Sequence, residues 1–155
     1  MARELFSLRQ LEDELLNMVR DWASDSHLGL SISMRDIVAR GFSDIFASQL
    51  DSSGTPWPEH APSTVAQYGP HPLLRLSNTM YQSLTTSSGG SHYEVLSDDG
   101  IEWGTTVAYA FAQNYGWQYI PAREFCYWSD KMIKETMQEV DRYIDYKYLG
   151  PLTRG

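Results

Sequence analysis

The sequence predicts a single α+β domain, in which a small antiparallel sheet with a hairpin packs against N- and C-terminal helices. Two observations carry this prediction: apolar residues recur at helical spacing near both ends, and a strand-turn-strand pattern lies between them. The chain of 155 residues has the length of one domain. We assign residues 1–150 to this domain and residues 151–155 to a C-terminal tail.

The N-terminal third predicts two helices packed antiparallel. The first spans SLRQLEDELLNMVRDWA, where one apolar stripe is formed by Leu8, Leu11, Leu15, Met18, Val19 and Trp22. The second is predicted to begin near Ser33, whose hydroxyl would cap the first turn while Asp36 takes the acidic position of a capping box. Its apolar face runs from Ile37 to Leu50.

Residues 51–72 predict a long connection in which regular structure is interrupted, because this stretch contains five prolines and two glycines. Long connections in compact domains are often functional. Trp57 is predicted to pin this one as an aromatic anchor. The following LSNTMYQSL predicts one or two helical turns.

The clearest strand signal is a hairpin with a turn at Asp99 and Gly100, flanked by alternating residues in SHYEVL and IEWGTT. VAYAFAQNYG then predicts a helix that stops at Gly116, which would adopt the left-handed conformation. In WQYIPAREFCYW, Pro121 predicts a strand edge or an ordered loop. Ser129 is predicted to cap the final helix.

Composition excludes several classes of function. The net charge of −8 and the pI near 4.8 have the wrong sign for a protein that neutralises phosphates, so specific nucleic-acid binding is disfavoured. No apolar run reaches the roughly 20 residues of a membrane helix, and the charged N-terminal sequence does not resemble a secretory signal. The single cysteine, Cys126, allows no disulfide within the chain, which predicts a cytosolic protein.

Motifs for catalysis or cofactor binding are not found in the sequence. It contains no phosphate-binding glycine loop, no His-Glu-x-x-His pair, no paired cysteines and no nucleophile elbow. Glu59, His60 and His71 could supply metal ligands but show no recognised spacing. The aromatic neighbours of Cys126 favour a buried, neutral thiol. We therefore expect no enzyme activity, no cofactor and no metal.

Four blocks in a fixed order carry a resemblance: Gly54-Thr55-Pro56-Trp57, LRLSNTMYQSL, IEWGTTVAYAFAQNYG and IPAREF. Together they resemble the tailed-phage virion morphogenesis or tail completion family, typified by the G protein of phage Mu, over about two-thirds of the chain. Ser77-Asn78 stands where the family usually has Thr-Gly, and Asn tolerates the left-handed conformation that such a position favours. Cys126-Tyr127-Trp128 replaces a small apolar residue and Gly, so the start of the last helix is expected to differ.

The resemblance implies a structural virion protein of the neck or head-proximal tail end, acting as a tail completion protein or tail terminator in head-tail joining. It implies a homo-oligomeric ring, a hexamer, that contacts adjacent neck and tail tube proteins after assembly in the host cytoplasm. DNA would pass through the lumen without specific binding, because acidic residues there would repel phosphates. The alternatives are a head-side connector or stopper and, in other classes, a small cytosolic hydrolase or a host-binding regulatory module.

Subunit contacts are predicted where Trp, Tyr and Arg concentrate, because these residues dominate interface hot spots. The predicted set is Trp57, Tyr115, Trp117, Arg123, Tyr127 and Trp128. Arg123 is expected to donate hydrogen bonds to a neighbour's carboxylate or carbonyls. Phe125 is expected to anchor the sheet. The alternative interpretation is that all of these side chains pack within the monomer.

Overall fold

The computed structural model of the protein describes residues 8–24, 27–87 and 89–149. The elements in chain order are α1 (Leu8–Ser24), α2 (Leu28–Ser48), α3 (Pro62–Tyr68), α4 (Thr79–Thr85), β1 (His92–Ser97), β2 (Gly100–Thr105), α5 (Ala110–Tyr115), α6 (Asp130–Ile144) and a π-helical turn (Asp145–Leu149). Helices pack against a two-stranded antiparallel sheet, which confirms the predicted α+β class. The predicted tail, residues 151–155, lies outside the described residues.

The core is organised around α2, which packs on α4, α6 and both strands. Phe46 on α2 is almost fully buried, and its ring lies 5.8 Å from that of Trp57, 5.5 Å from that of Tyr81 and 5.8 Å from that of Phe125. Aromatic rings at these separations contribute stabilisation beyond the area that they bury. Phe125 is therefore anchored against α2, at the centre of the core, rather than against the sheet alone.

The predicted start of α2 at Ser33 is wrong. The helix begins at Leu28, because the backbone N–H groups of Leu30 and Ser31 already donate to the carbonyl of His27. Ser33 lies inside the helix, where its hydroxyl donates to the Leu30 carbonyl at 2.8 Å. The predicted antiparallel pairing of α1 with α2 is also wrong, since in the described chain α2 packs along α4, α6 and the sheet instead.

The proline-rich connection contains one short helix, α3, between its turns. Pro62 occupies the first turn of α3, a position where its fixed φ favours a helix and its missing N–H costs nothing. An earlier turn is closed by the Asp51 carboxylate, which accepts hydrogen bonds from the backbone N–H of Ser53 and Thr55. The Ser53 hydroxyl donates to the same carboxylate at 2.6 Å, and this bond together with those from the backbone lowers the pKa of Asp51 below its usual value.

The hairpin forms as predicted, but its turn is shifted by one residue. Ser97 pairs with Gly100, so the two turn residues are Asp98 and Asp99. β1 is joined to α2 by an ion pair between Glu94 and Arg35, which lowers the pKa of Glu94 below its usual value.

The predictions for the later elements are largely confirmed. The predicted helical turns of LSNTMYQSL form α4, and Asn78 before it has a φ of 57° and a ψ of 0°, the left-handed conformation. Ser129 caps α6, since its hydroxyl accepts the backbone N–H of Met132 at 3.3 Å. Gly116 ends α5 with a positive φ of 79°, but its ψ of 151° is extended rather than left-handed helical. Residues 117–129 form an ordered loop.

No helix in the described part of the chain has the length and apolar character needed to cross a lipid bilayer.

Candidate interaction surface

α5 and the turn after it place large aromatic side chains on the protein surface. Phe111 and Tyr115 on α5 are 63% and 67% exposed, Trp117 is 58% exposed and Tyr119 is 99% exposed. Residues 107–122, which include all four, contain no charged side chain. An exposed, uncharged aromatic surface of this kind is typical of a protein-protein contact.

The turn that carries Trp117 and Tyr119 is held by short backbone hydrogen bonds. The Trp117 N–H donates to the Ile120 carbonyl at 3.0 Å, and the Ile120 N–H donates to the Trp117 carbonyl at 2.7 Å. Gln118 completes the turn with a positive φ of 48°. Gly116 lies so close to residues 120–122 that a Cβ there would approach the Ala122 nitrogen to 3.1 Å. The turn is therefore a defined structure that presents its aromatic side chains to solvent.

Beside this turn lies a groove of about 380 Å³, which we call the aromatic groove. It is lined by residues of α3, of the segment before α4, of α5 and of the loop that follows, among them His60, His71, Leu76, Tyr109, Tyr119 and Ile120. All lining residues come from the ranges 60–93 and 103–123, which contain none of the chain's twenty acids. The groove therefore differs in charge from the rest of this acidic protein.

The two histidines of the groove lie against each other, with their ring centroids 4.2 Å apart. His71 Nδ1 is hydrogen-bonded to the Gly69 carbonyl at 2.9 Å, and His60 Nε2 to the His71 carbonyl at 3.2 Å. Among the described residues, no group of three or more His, Cys, Asp or Glu side chains is placed to hold a metal ion.

The prediction that Arg123 contacts a neighbouring subunit is corrected by its burial, since the residue is only 6% exposed. Its guanidinium donates to the carbonyls of Pro58 at 2.8 Å and Glu59 at 2.9 Å, and to the Gln113 side-chain oxygen at 3.2 Å. Burial lowers the pKa of Arg123, while the charge of Glu59 opposes this shift. The predicted carbonyl partners exist, but they belong to the same chain.

Trp57 is likewise a core residue and not a free contact, because it is 4% exposed and its indole N–H donates to the Glu124 carbonyl at 2.9 Å. This confirms the prediction that it pins the connection. Tyr127 is half-buried, and its hydroxyl donates to the Leu50 carbonyl at 3.1 Å. Burial raises the pKa of the Tyr127 phenol, and the charges of Glu124 and Asp51 add to the shift.

Trp128 is half exposed and lines a second, smaller groove together with core residues of α2, β2 and α6. Cys126 lies at the same place and is exposed, so the predicted burial of this residue is wrong. Partial burial and the charge of Glu124 nevertheless raise the pKa of the thiol, which favours its neutral form. The second groove shares no lining residue with the aromatic groove.

Sequence reasoning missed Tyr119, the most exposed of the large aromatic side chains in the described chain. The uncharged run of residues 107–122 is the signal that could have found it. The apolar stripe of α1 was predicted but its exposure was not: Leu15 and Val19, with the neighbouring Leu16, are at least half exposed.

Comparison of the chain with protein-family models, with curated proteins and with solved structures gave no match. The resemblance to the tail completion family therefore stays a prediction from the four sequence blocks.

Proposed function

We propose that this protein is a structural component of a tailed-phage virion, placed at the neck or head-proximal tail end. There its copies form a hexameric ring that completes or terminates the tail and mediates head-tail joining. The observation that carries the proposal is the exposed, uncharged aromatic surface of α5 and the following turn. The four ordered sequence blocks supply the virion context.

The aromatic surface favours a subunit contact over a solvent-facing role. Tyr and Trp provide large contact areas and lose little conformational entropy when they are immobilised, so they concentrate in interface hot spots. The backbone that carries Trp117 and Tyr119 is already fixed by the two hydrogen bonds between Trp117 and Ile120. Preorganised contact residues of this kind reduce the free energy lost on association.

Charge supports self-association through the same surface. Each copy carries a net charge of −8, so most surfaces of two copies repel each other. The aromatic groove and the turn come from stretches that contain no acids, and contact there avoids direct repulsion between carboxylates. Acidic residues that remain exposed around the lumen of a ring would repel DNA phosphates and let the genome pass. A lumen lined by Lys and Arg would end this part of the proposal.

The first test is to delete the gene in the phage that carries it and to count particles by negative-stain electron microscopy. Full heads beside unjoined tails are expected. Overlong tails would indicate a terminator, whereas unjoined tails of normal length would indicate a completion protein. Defects confined to the head, with DNA leaking from it, would indicate a head-side connector or stopper. Intact infectious particles that lack the protein would contradict the proposal and favour a hydrolase or a host-binding module.

A complementation test links the phenotype to the aromatic surface. Trp117→Ala with Tyr119→Ala, supplied from a plasmid, is expected to fail to restore joined particles because it removes the proposed contact. Tyr146→Ala is the matched control, since Tyr146 is also strongly exposed but lies on the π-helical turn. Restoration by the double variant would show that this surface is not needed for assembly.

A further inference from the structure

We infer that α1 of one copy docks in the aromatic groove of a second copy; this inference rests on the ring proposed above. Each copy would then use two different surfaces, its own α1 and its own groove. A contact between two different surfaces is head-to-tail, and repeated around an axis it closes into a ring.

The described apolar side chains in the middle of α1 are left uncovered by the described part of the chain. Leu15 and Val19 are exposed on one side of the helix and Asn17 lies on the opposite side. Leu16, also exposed, lies at the border between the two sides, one turn from Arg20. The helix of 17 residues is about 25 Å long at 1.5 Å per residue. An amphipathic helix usually buries its apolar face against protein, and a second copy can supply that cover.

The described contacts that attach α1 to the rest of the chain lie at its C-terminal end. The ring of Trp22 stacks on that of His27 at 4.2 Å and lies 5.6 Å from that of Tyr148. Leu15, Leu16 and Val19 precede this attachment and stay exposed. The helix is thus fixed at one end, and its apolar face is available to a neighbour.

The aromatic groove offers matching apolar side chains. Leu76, Tyr109 and Ile120 line it, and each is more than one-third exposed. A helix whose leucines and valine enter such a groove follows a recurrent mode of recognition, in which anchors at helical spacing fill an apolar cleft.

Charge favours α1 as the occupant of the groove. The sequence of α1 contains four acids and two arginines, so the helix is acidic overall. The residues that line the groove include no acid, and the charge of the one arginine among them, Arg123, is buried and partly balanced by Glu59. An acidic helix therefore meets least repulsion on this part of an otherwise acidic protein.

α6 also exposes apolar side chains, Ile133 and Met137, but it is a weaker candidate for the occupant. It already packs along α2, to which Lys131 and Glu135 join it through ion pairs with Asp44 and Arg40. α1 lacks such packing along its length in the described chain.

The test uses one charged substitution on each surface of the full-length protein, with size-exclusion chromatography and light scattering as the readout. Val19→Glu and Leu76→Glu are each expected to abolish the oligomer at concentrations where the unaltered protein assembles. Both residues are exposed, so the fold should survive, and circular dichroism checks this. The matched controls are Asn17→Glu on the polar face of α1 and Val95→Glu on exposed β1, and both should assemble normally.

Mixing the two variants tests the head-to-tail geometry. The Val19→Glu copy keeps an intact groove and the Leu76→Glu copy keeps an intact α1, so the pair is expected to form a dimer and nothing larger. A mixture that stays monomeric would overturn the inference, and so would a full oligomer formed by either variant alone. Loss of assembly in the Asn17→Glu control would also overturn it.

A cross-link distinguishes docking between copies from docking within one copy. In a Cys126→Ser background, the pair Val19→Cys and Leu76→Cys should give a ladder of linked copies on oxidation. A cross-link confined to single chains would overturn the inference. A monomeric unaltered protein would overturn it too. This test and the virion test can fail separately. If the deletion phage failed to join heads and tails while Val19→Glu still assembled, the docking of α1 would be overturned and the proposed function would stand.

Discussion

Two loops of this protein each present a tryptophan, and the structure uses them in opposite ways. Trp57, in the connection after α2, is buried against Phe46 and bonded to the Glu124 carbonyl. Trp117, in the turn after α5, is exposed although the backbone around it is equally well hydrogen-bonded. Residue type alone does not separate a core anchor from a surface contact.

The difference between the two loops comes from where their polar groups find partners. The first loop is held by a distant residue, because Arg123 donates to the carbonyls of Pro58 and Glu59, the two residues that follow Trp57. The second closes on itself between Trp117 and Ile120. A loop held by distant residues is pulled into the core, whereas a self-contained turn can project its side chains. Four substitutions test this comparison.

The largest effect is expected from Trp57→Ala, which empties a site at the centre of the core. Truncation of a buried tryptophan costs about 3–5 kcal/mol in the free energy of unfolding. Trp117→Ala, its matched control, should change this free energy by less than about 0.5 kcal/mol, because exposed side chains contribute little to monomer stability. Urea denaturation of both variants measures the difference. Equal losses would show that the two loops are not distinct in the way described.

Arg123→Met should rank second, with a loss of about 2–4 kcal/mol, because the carbonyls of Pro58 and Glu59 lose a buried donor while the apolar stem is kept. The control is Arg75→Met, which removes a half-buried arginine stacked 3.9 Å from the centre of the Tyr81 ring. That change should cost about 1 kcal/mol. The same denaturation experiment applies. If Arg123→Met kept full stability but lost assembly, the role of Arg123 within its own chain would be contradicted. The earlier prediction that Arg123 contacts a neighbouring subunit would then be supported.

Gly116→Ala should have an intermediate effect, about 1–3 kcal/mol, because alanine fits poorly at a φ of 79° and a ψ of 151°. Its Cβ would also approach the Ala122 nitrogen to 3.1 Å. Gly69→Ala is the control, since Gly69 has a similar φ of 74° and ψ of 175° but open space around it. A larger loss at Gly116 in thermal unfolding would show that close approach of the chain adds to the strain. Equal losses would assign the effect to backbone conformation alone.

Much of the fold could be predicted from the sequence because its signals are local. Helical spacing found α1 and α6, the turn residues found the hairpin, and Ser129 was correctly identified as a cap. Errors arose where one local signal had two interpretations. Ser33 and Asp36 match a capping box, but α2 had already begun at Leu28. Pro62 is a breaker inside a helix and a favourable residue in its first turn, which is where α3 uses it.

The candidate surface was less predictable because burial depends on contacts between distant residues. Arg123 meets Pro58 and Glu59 across more than sixty positions of sequence, and no spacing rule anticipates that. The hot-spot composition therefore selected Trp57 and Arg123, which are buried, together with Tyr115 and Trp117, which are exposed. The absence of charge in residues 107–122 is a better guide, because an exposed stretch without charges is uncommon in an acidic protein.

The smallest effect is expected from Gln118→Asn, which keeps the turn and relieves part of its backbone strain. Gln118 has a positive φ of 48°, a conformation that asparagine adopts more readily than glutamine. Stabilisation of about 0.5 kcal/mol would raise the melting temperature by about 1–2 °C in a chain of this size.

Because Trp117 and Tyr119 keep their positions in Gln118→Asn, assembly should be unchanged, whereas Gly116→Ala should weaken assembly by displacing the same turn. Light scattering on the two variants therefore separates the geometry of the turn from its stability. A Gln118→Asn variant that assembled as poorly as Gly116→Ala would show that the glutamine side chain itself contacts the neighbouring copy.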